Sequence, residues 1–346
     1  MTALLTIDPP ATDYLPVSRI TRDGDVIKFC QRTGDHYEIE SVIIPMGTRD
    51  NTWRTLCVSS QIGCARGCTF CQTAQMGLLR NLTVDEIIGQ VRAARDHFGA
   101  YIRNLVFMGM GEPMDNLDNV IESIRRLHDD QSKITITSPV VQTMSLCSPI
   151  EAPMVSRYDS NVALAGKLPP STNEPTTNQI PRRRITVSTV GRCDGIRKLA
   201  ALNWRRLGLA VSLNAPNDDI RSQIMPINRT EPMAMLRDAI AAYPVRAGGH
   251  VLIEYVLIKG VNDHPDHAHQ LAEYLAGLPT CVNLIPYNPR EDSPFETSTE
   301  AACDEFQTIL MQSGQLAFRR STKGQSAMAA CGQLGNLALR RTSQRV

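Results

Sequence analysis

The sequence predicts an α/β fold, a partial (β/α)6 barrel of TIM-like form preceded by an N-terminal β-hairpin. First, short uninterrupted apolar runs such as residues 105–108 are typical of parallel strands that are buried on both faces. Second, segments with helical periodicity separate these runs, which is the pattern of successive βαβ units. Third, about six such repeats joined by right-handed crossovers curl into an open or partial barrel. The carboxyl ends of its strands would then form the ligand-binding edge.

The hairpin is predicted from two apolar segments that flank a polar turn. Residues 26–30 and 36–44 have the composition of strands, and Thr33-Gly34-Asp35 between them is a turn sequence. Glu38 and Glu40 share one face of the second strand because side chains alternate along a strand. Residue types alone favour two solvated carboxylates. We assign residues 1–50 to an irregular, proline-containing arm and this hairpin.

The strand and helix repeats follow in order after the hairpin. Thr83 with Glu86 three residues later forms a capping box, so a helix is expected to begin there. Further helices are predicted at 117–127, 194–202, after 217, 265–278 and 300–311, and strands at 56–60, 105–108, 185–188, 209–213, 251–257, 282–286 and 316–319. We assign residues 51–320 to the barrel, with an irregular, proline-rich insertion at 139–181, and residues 321–346 to a carboxyl-terminal segment that carries Cys331.

Composition limits the function classes. The 346 residues carry a formal net charge of +1, so contact with nucleic acid must come from local basic patches such as 182–184, 319–320 and 340–341. The first ten residues lack a secretory signal, and no run approaches the ~18 apolar residues of a membrane span. The ten cysteines form no regular disulfide framework. We therefore expect a cytoplasmic protein without a membrane partner.

Three cysteines lie in one short loop with the spacing C-x3-C-x2-C, namely Cys64, Cys68 and Cys71. Such a loop can converge three thiolates on one inorganic cluster, and a cubane of four irons would keep one iron open for a substrate or cofactor. A zinc site is the nearest alternative, although zinc loops usually present paired cysteines with a second pair or histidines downstream. Three unrelated buried thiols are the remaining interpretation.

A glycine-rich turn follows the predicted strand at 105–108, and it reads Gly109-Met110-Gly111-Glu112-Pro113. The turn places backbone amides and the Glu112 carboxylate at the carboxyl edge of the sheet, where α/β proteins bind ligands. The histidine-rich run at 263–269 resembles a metal cluster, but its residues also suit the start of a helix as caps.

The cluster loop and the turn at 108–113 together resemble those of the radical S-adenosylmethionine (SAM) enzymes. Further motifs resemble the RlmN/Cfr family of RNA methyltransferases in particular, and they occur in order between about residues 36 and 336: residues 57–61, 185–189, 212–218, 225–228, 283–289 and 329–334. Gln72-Thr73-Ala74-Gln75 after the cluster loop is more similar to the RlmN side of the family.

The resemblance implies a radical SAM barrel in which Cys64, Cys68 and Cys71 hold one [4Fe-4S] cluster, while SAM binds the remaining iron. It implies two SAM molecules per turnover, and an electron donor such as flavodoxin or ferredoxin. The SAM contacts that it implies at matching positions are Gly111, Glu112, Ser188, Ser212, Leu213, Asn214 and Asn288. Carboxylate, hydroxyl and amide groups suit the ammonium, carboxylate and ribose of SAM.

The resemblance also implies a reaction with two cysteines. An adenine carbon between two nitrogens is electrophilic, so direct transfer of an electrophilic methyl group from SAM fails there. In the family scheme Cys331 first becomes S-methylated, and the carbon of that methyl group bonds to adenine. Cys57 then attacks Cys331, which releases the product and leaves a transient disulfide. Glu40 stands at the position of the proton acceptor, and Glu38 is its competitor.

The expected substrate is an adenosine of ribosomal RNA, with transfer RNA as a further candidate and carbon 2 favoured over carbon 8. Family members commonly carry an N-terminal helical RNA-binding domain, and we expect this chain to lack it. Relatives usually have histidine where Asn214 stands. The alternatives are a radical SAM methylase of another substrate and a catalytically inactive iron-sulfur RNA-binding protein. Retention of Cys57 and Cys331 argues against the second, because binding needs neither thiol.

Overall fold

The computed structural model describes residues 13–48, 51–130, 178–290, 293–320, 324 and 328–337. Two sheets are present in these ranges: one of ten strands and a small antiparallel ribbon of two. The strands are β1 Val17–Asp23, β2 Val26–Arg32, β3 Glu38–Thr48, β4 Asn51–Cys57, β5 Gln61–Gly63, β6 Leu78–Asn81, β7 Ile102–Phe107, β8 Ile185–Thr189, β9 Gly208–Ser212, β10 Val251–Leu257, β11 Thr280–Pro286 and β12 Leu316–Arg319.

Eight α-helices cover the same ranges: α1 Gln72–Gln75, α2 Val84–Asp96, α3 Leu117–Asp129, α4 Cys193–Ala201, α5 Asp218–Ile224, α6 Met233–Ala241, α7 Pro265–Leu275 and α8 Glu300–Gln312. Helix α2 begins with the predicted capping box, since the Thr83 hydroxyl accepts the amide of Glu86 and the Glu86 carboxylate accepts the amide of Thr83. No helix in the described ranges is long and apolar enough to cross a membrane.

The large sheet has the order β1-β2-β3-β4-β7-β8-β9-β10-β11-β12. Strands β1 to β4 pair antiparallel, whereas every pair from β4 to β12 is parallel. Each of the six parallel crossovers contains at least one helix. The predicted fold class is confirmed: a mixed α/β fold with a hairpin followed by (β/α)6 repeats and a mostly parallel sheet. Within the described residues, β12 pairs only with β11, so the sheet is open at the other side of β12.

One core unites the two parts of the sheet. Its fully buried side chains include Phe29 on the hairpin, Phe107 on β7 and Tyr255 on β10. The predicted strands at 251–257 and 316–319 match β10 and β12 residue for residue. Strand β1 was not predicted, and most of its residues are exposed or half-buried, so it lacks an apolar pattern. Most of the insertion predicted at 139–181 lies outside the described residues, as do residues 1–12 of the arm and 338–346 of the carboxyl-terminal segment.

Candidate active site

The cysteine loop connects β5 to α1 and is closed by the β5-β6 ribbon. Gly63 has a φ of 76°, and a Cβ there would lie 1.8 Å from the carbonyl oxygen of Gly77. Only glycine fits this position, because it combines a left-handed backbone with a close approach of two chain segments. The amide of Cys64 then donates to the same carbonyl at 2.9 Å, and the amide of Thr69 donates to Ile224 at 3.0 Å. The loop is thus fixed at both ends.

The three thiols of this loop lie within electrostatic reach of one another. Cys64 and Cys68 are buried, and Cys71 is partly exposed. Burial raises the pKa of Cys64 to about 12, and the negative charge of Cys71 adds to that rise. Burial also raises the pKa of Cys68, with further contributions from Cys71 and Cys64. Neighbouring buried thiols that repel each other as thiolates are deprotonated readily only by a bound cation.

The donor set fits an iron-sulfur cluster better than a single ion. Across the described residues, no three His, Cys, Asp or Glu side chains are grouped closely enough to hold one metal ion. In a cluster each thiolate binds a different iron, so the three sulfurs need not meet at one point. Three soft sulfur ligands on one loop, two of which line a cavity, suit that arrangement.

The turn after β7 is held by the residues that immediately follow β4. Gly111 has a φ of 97°, and a Cβ there would lie 2.5 Å from the side chain of Gln61. The side-chain oxygen of Gln61 accepts the amide of Glu112 at 2.8 Å, and the Ser59 hydroxyl accepts the amide of Met110 at 2.9 Å. The sequence motif at 57–61 therefore positions the turn that carries Glu112.

The Glu112 carboxylate is buried, with 1% of the residue exposed, and lies at the junction of two strand ends. Its Oε1 accepts the amide of Met114 at 3.0 Å, and its Oε2 accepts the amide of Val190 at 2.8 Å. Burial still raises its pKa to about 7, although both hydrogen bonds act in the opposite direction. A ligand with a positive charge would favour the ionised form of this carboxyl group.

One cavity at the carboxyl ends of the parallel strands brings most of the predicted site residues together. Those that line it are Cys68, Cys71, Gly111, Glu112, Ser188, Ser212, Asn214 and Cys331. Other predicted residues, Cys57, Cys64, Leu213, Asn288 and Glu40, are outside the set of lining residues. Leu213 is fully buried, and its carbonyl accepts the Nε of Arg221 at 3.1 Å.

Sequence reasoning missed Arg221 and Asn262, which hold the strand ends around this cavity. Arg221 is fully buried and donates to the carbonyls of Leu213 and Val190. Asn262 donates to the carbonyl of Asn214 at 2.8 Å. Asn214 itself has a left-handed φ of 56°. Nothing in the local sequence marks the arginine or the second asparagine, because each acts on backbone atoms that are distant in the chain.

Cys331 lies in a segment of residues 328–337, here called the Cys331 segment, that is tied down at several points. Asn288 donates to the carbonyl of Cys331 at 3.3 Å, and the amide of Gln72 donates to that of Gly332 at 2.7 Å. The Thr73 hydroxyl donates to the carbonyl of Leu334 at 2.6 Å. The residues after the cluster loop therefore hold the Cys331 segment against the cavity.

Cys57 and Cys331 are both free thiols, and the charge of Cys331 acts on the titration of Cys57. Burial raises the pKa of Cys57 to about 12, and the charge of Cys331 adds to the rise. Cys331 is solvent-exposed where it opens onto the cavity, yet the surrounding protein raises its pKa as well. The Arg320 guanidinium acts in the opposite direction on both thiols. Arg320 is thus part of the site, whereas its neighbour Arg319 pairs with α8.

Glu40 lies under the Cys331 segment and is 2% exposed. Its Oε2 is 3.3 Å from Lys28 Nζ and accepts the amide of Gly335 at 3.2 Å. Its Oε1 is 3.6 Å from a guanidinium nitrogen of Arg19. Lys28 also donates to the carbonyl of Met328 at 3.0 Å. Two charged side chains of the hairpin, Lys28 and Glu40, therefore bind the two ends of the Cys331 segment. Glu38 pairs with Arg19 near the surface instead, at 3.0 Å.

The histidine-rich run at 263–269 forms the start of α7, as the capping interpretation predicts. His264 is the N-cap residue, and its Nδ1 accepts the amide of Asp266 at 3.2 Å. Asp263 accepts the amide of Gly260 at 2.8 Å and the hydroxyl of Ser298 at 2.7 Å. These side chains are therefore engaged in turn and cap contacts.

Comparison with known proteins gives a family profile, a set of sequence relatives and a solved structure. The profile described as "Radical SAM superfamily" matches residues 58–272. The chain is 40% identical over 328 residues to "Probable dual-specificity RNA methyltransferase RlmN 1" of Protochlamydia amoebophila, covering 95% of this chain and 78% of that protein.

It is also 38% identical over 330 residues to "Dual-specificity RNA methyltransferase RlmN" of Geobacter sulfurreducens, covering 95% of this chain and 75% of that protein. The crystal structure of a radical SAM methyltransferase from Sphaerobacter thermophilus superposes with a TM-score of 0.73 at 37% identity, covering 92% of this chain and 80% of that one.

Proposed function

Because the chain belongs to the RlmN family of radical SAM RNA methyltransferases, we propose that it methylates a ring carbon of an adenosine in ribosomal RNA. Transfer RNA is a further substrate in this proposal, and carbon 2 is favoured over carbon 8. The observation that carries the proposal is one cavity lined by the cluster cysteines Cys68 and Cys71, by Glu112 and by Cys331. This cavity combines a site for a cluster with a nucleophile able to carry a methyl group.

In this proposal Cys64, Cys68 and Cys71 hold a [4Fe-4S] cluster, and the family implies both that cluster and SAM. The chemistry that the cluster supplies when bound is one-electron cleavage of SAM to a radical able to remove a hydrogen atom from a methyl group. Glu112 would accept a hydrogen bond from the SAM ammonium group. Gly111, Ser188, Ser212 and Asn214 line the same cavity and are the other direct candidates for SAM binding. Leu213 and Asn288 would act through backbone placement, since Asn288 holds the carbonyl of Cys331.

Cys331 and Cys57 divide the methyl transfer between them. The Cys331 thiolate accepts a methyl group from a first SAM. The radical that a second SAM would supply removes a hydrogen atom from this S-methyl group, and the resulting carbon radical bonds to adenine. The adduct then gives up one electron, which the oxidised cluster would accept, and the ring proton, which a base accepts. The Cys57 thiolate attacks the sulfur of Cys331, the bond from that sulfur to the methylene carbon breaks, and the released carbon takes up a proton, so that methyladenosine leaves and a transient disulfide remains. The support for these roles is the position of Cys331 at the cavity and the electrostatic effect of Cys331 on the Cys57 thiol. Arg320 favours the thiolate of each.

Glu40 is proposed as the proton acceptor for the covalent protein-RNA intermediate. Its support is the matching position in the family and its contact with the Cys331 segment through the amide of Gly335. In the described arrangement its carboxylate is shared among Lys28, Arg19 and that amide. The base function would therefore accompany a shift of the Cys331 segment, which exchanges the Gly335 amide for the proton of the substrate.

Mass spectrometry of nucleosides tests the proposal directly. Ribosomal and transfer RNA from cells with and without the gene would be digested and compared for 2-methyladenosine and 8-methyladenosine. We expect 2-methyladenosine at one or more positions to disappear with the gene, and to return with a plasmid copy but not with Cys331→Ala. Unchanged levels of both nucleosides would refute RNA-adenosine methylation. The proposal places the reaction in the cytoplasm with a flavodoxin or ferredoxin as reductant, and reconstitution with each donor tests the latter.

A further inference from the structure

The last strand of the sheet carries an exposed aromatic side chain on the face that points away from its helix. Phe318 is 62% exposed and Leu316 is 48% exposed. Arg319, the last residue of β12, instead forms ion pairs with Glu300 and Asp304 of α8, at 3.0 and 2.9 Å. Because side chains alternate along a strand, Leu316 and Phe318 lie on the face opposite α8. That face is the one turned toward the cavity.

The strand register connects Phe318 to the cavity. In the parallel sheet Phe318 is opposite Asn283, Asn283 is opposite Glu254, and Glu254 is opposite Ser212. Directly opposed residues point to the same face. Ser212 and Glu254 line the cavity, and Asn283 donates to Glu254 at 2.7 Å. Phe318 therefore stands at the outer end of the row, two strand spacings or about 10 Å from Glu254.

An exposed phenyl ring at this position is best explained by a ligand that covers it. Contiguous exposed apolar surface beside a groove marks a binding site, and Leu316 and Phe318 are neighbours on one face of β12. Within the described residues β12 has a strand neighbour on one side only, so this edge borders the open side of the sheet. A macromolecular substrate reaches the cavity from an open side. Arg320 on the same face supplies a positive charge, which suits a phosphate backbone.

We propose that Phe318 is a stacking surface for a nucleobase adjacent to the target adenosine in the substrate RNA. A flat aromatic ring about 10 Å from the cavity matches the reach of one or two nucleotides along an RNA strand. Stacking on an aromatic side chain is tolerant of base identity, so Phe318 contributes affinity and orientation more than sequence choice. The inference rests on the proposed RNA substrate and adds the position of a neighbouring nucleotide.

Binding and single-turnover methylation of an RNA fragment by the reconstituted holoenzyme test this role. Phe318→Ala is expected to raise the dissociation constant for RNA about tenfold, which corresponds to the loss of one base-aromatic stack. Phe318→Trp is expected to stay within about twofold of the wild type, whereas Phe318→Leu, which keeps apolar area without an aromatic face, should resemble Phe318→Ala. Met311→Ala is the matched control, because Met311 is 58% exposed but belongs to α8. Methylation of Cys331 without RNA should be the same in all variants.

An abasic substitution on either side of the target adenosine completes a double-mutant cycle. The wild-type enzyme should bind the abasic RNA about tenfold more weakly than the intact RNA. Phe318→Ala should bind the two RNAs with nearly equal affinity. Equal RNA affinity of wild type and Phe318→Ala, or additive losses at both neighbouring positions, would overturn the inference. A change from dimer to monomer in Phe318→Ala with unchanged RNA affinity would assign this face to a second copy of the chain and also overturn it. Absence of methyladenosine from wild-type reactions would instead refute the proposed function, whatever Phe318 contributes.

Discussion

Replacing Lys28 with methionine should release the Cys331 segment without touching the cavity itself. Lys28 is 8% exposed, and its ammonium group donates to the carbonyl of Met328 at 3.0 Å. The same group lies 3.3 Å from a Glu40 oxygen, which in turn accepts the amide of Gly335. Lys28 thus acts on the Cys331 segment directly at one end and through Glu40 at the other. Methionine has a similar length and lacks both the charge and the donor.

The magnitude follows from these two contacts. A hydrogen bond from a charged group contributes about 1.5–3 kcal/mol, and removal of one partner of a buried ion pair costs about 3–5 kcal/mol when nothing replaces it. The Glu40 carboxylate keeps its contacts with Arg19, at 3.6 Å, and with the Gly335 amide. Its loss of stabilising partners is therefore only partial. We expect a total of about 2–3 kcal/mol. The docked state of the Cys331 segment would then be disfavoured by a factor of about 30–150.

Hydrogen exchange measured by mass spectrometry on peptides that contain residues 328–337 reads this equilibrium. In Lys28→Met the exchange of these peptides should accelerate, and more 5′-deoxyadenosine should form per methyl group transferred to RNA. Lys28→Arg should restore most of both quantities. Lys259→Met is the matched control, since that lysine is 52% exposed and pairs with Glu296 at the surface. Unchanged exchange in Lys28→Met relative to Lys259→Met would refute the reasoning.

Three further outcomes are expected. The pKa of Glu112 is about 7 in the folded protein, against 4.5 for a free carboxyl group. The folded state therefore keeps this proton to a higher pH than the unfolded state does. As a result, SAM-free protein should lose stability as the pH rises from about 4.5 to 7. Between pH 5 and pH 7.5, denaturant unfolding should show a loss of stability that is about 2 kcal/mol smaller in Glu112→Gln than in the wild type, and equal losses would contradict the assignment. Cys57→Ala, expressed with its RNA and with the cluster intact, should accumulate a covalent protein-RNA species on denaturing gels, whereas Cys331→Ala should not; free protein from the Cys57 variant would exclude the two-cysteine scheme. Gly63→Ala, whose new Cβ would lie 1.8 Å from a backbone carbonyl, should purify with little iron and sulfide, while Gly34→Ala, with open space around it, should load normally.

Much of the fold follows from local pattern, which is why β10, β12 and the capped start of α2 could be predicted to the residue. Apolar periodicity and capping chemistry act within a few residues and are visible in one sequence. Strand β1 has largely exposed residues and is stabilised by pairing with β2, so its pattern carries little signal. The spacing of the three cysteines likewise brings their thiols near one another, since short spacing forces proximity in any fold.

The supporting residues of the site could not be predicted in the same way. Arg221 acts on the carbonyls of Leu213 and Val190, and Lys28 reaches a carbonyl 300 positions away. Such contacts are specified by which strand ends meet, and no spacing rule in the chain encodes them. From the sequence alone, a lysine in a hairpin strand is expected to point to solvent, whereas Lys28 is buried. The role of the hairpin in holding the Cys331 segment therefore emerged only from tertiary contacts.

The contacts of Glu40 suggest how fixation and catalysis can use the same carboxylate. While Glu40 accepts the Gly335 amide, the Cys331 segment is held near the cavity. A base must present a free lone pair to its proton, and the Gly335 amide occupies one lone pair of this carboxylate. Displacement of the Cys331 segment would remove this amide and leave Lys28 and Arg19 in place. Movement of the methyl carrier would then itself free a lone pair of the Glu40 carboxylate, which links the proton transfer to the stage of the reaction at which Cys331 has moved onto the substrate. Glu40→Gln separates the two roles, because its amide oxygen can still accept from Gly335 but it is too weak a base to take the proton. A covalent protein-RNA species that accumulates in Glu40→Gln, with hydrogen exchange of residues 328–337 unchanged, is the expected result.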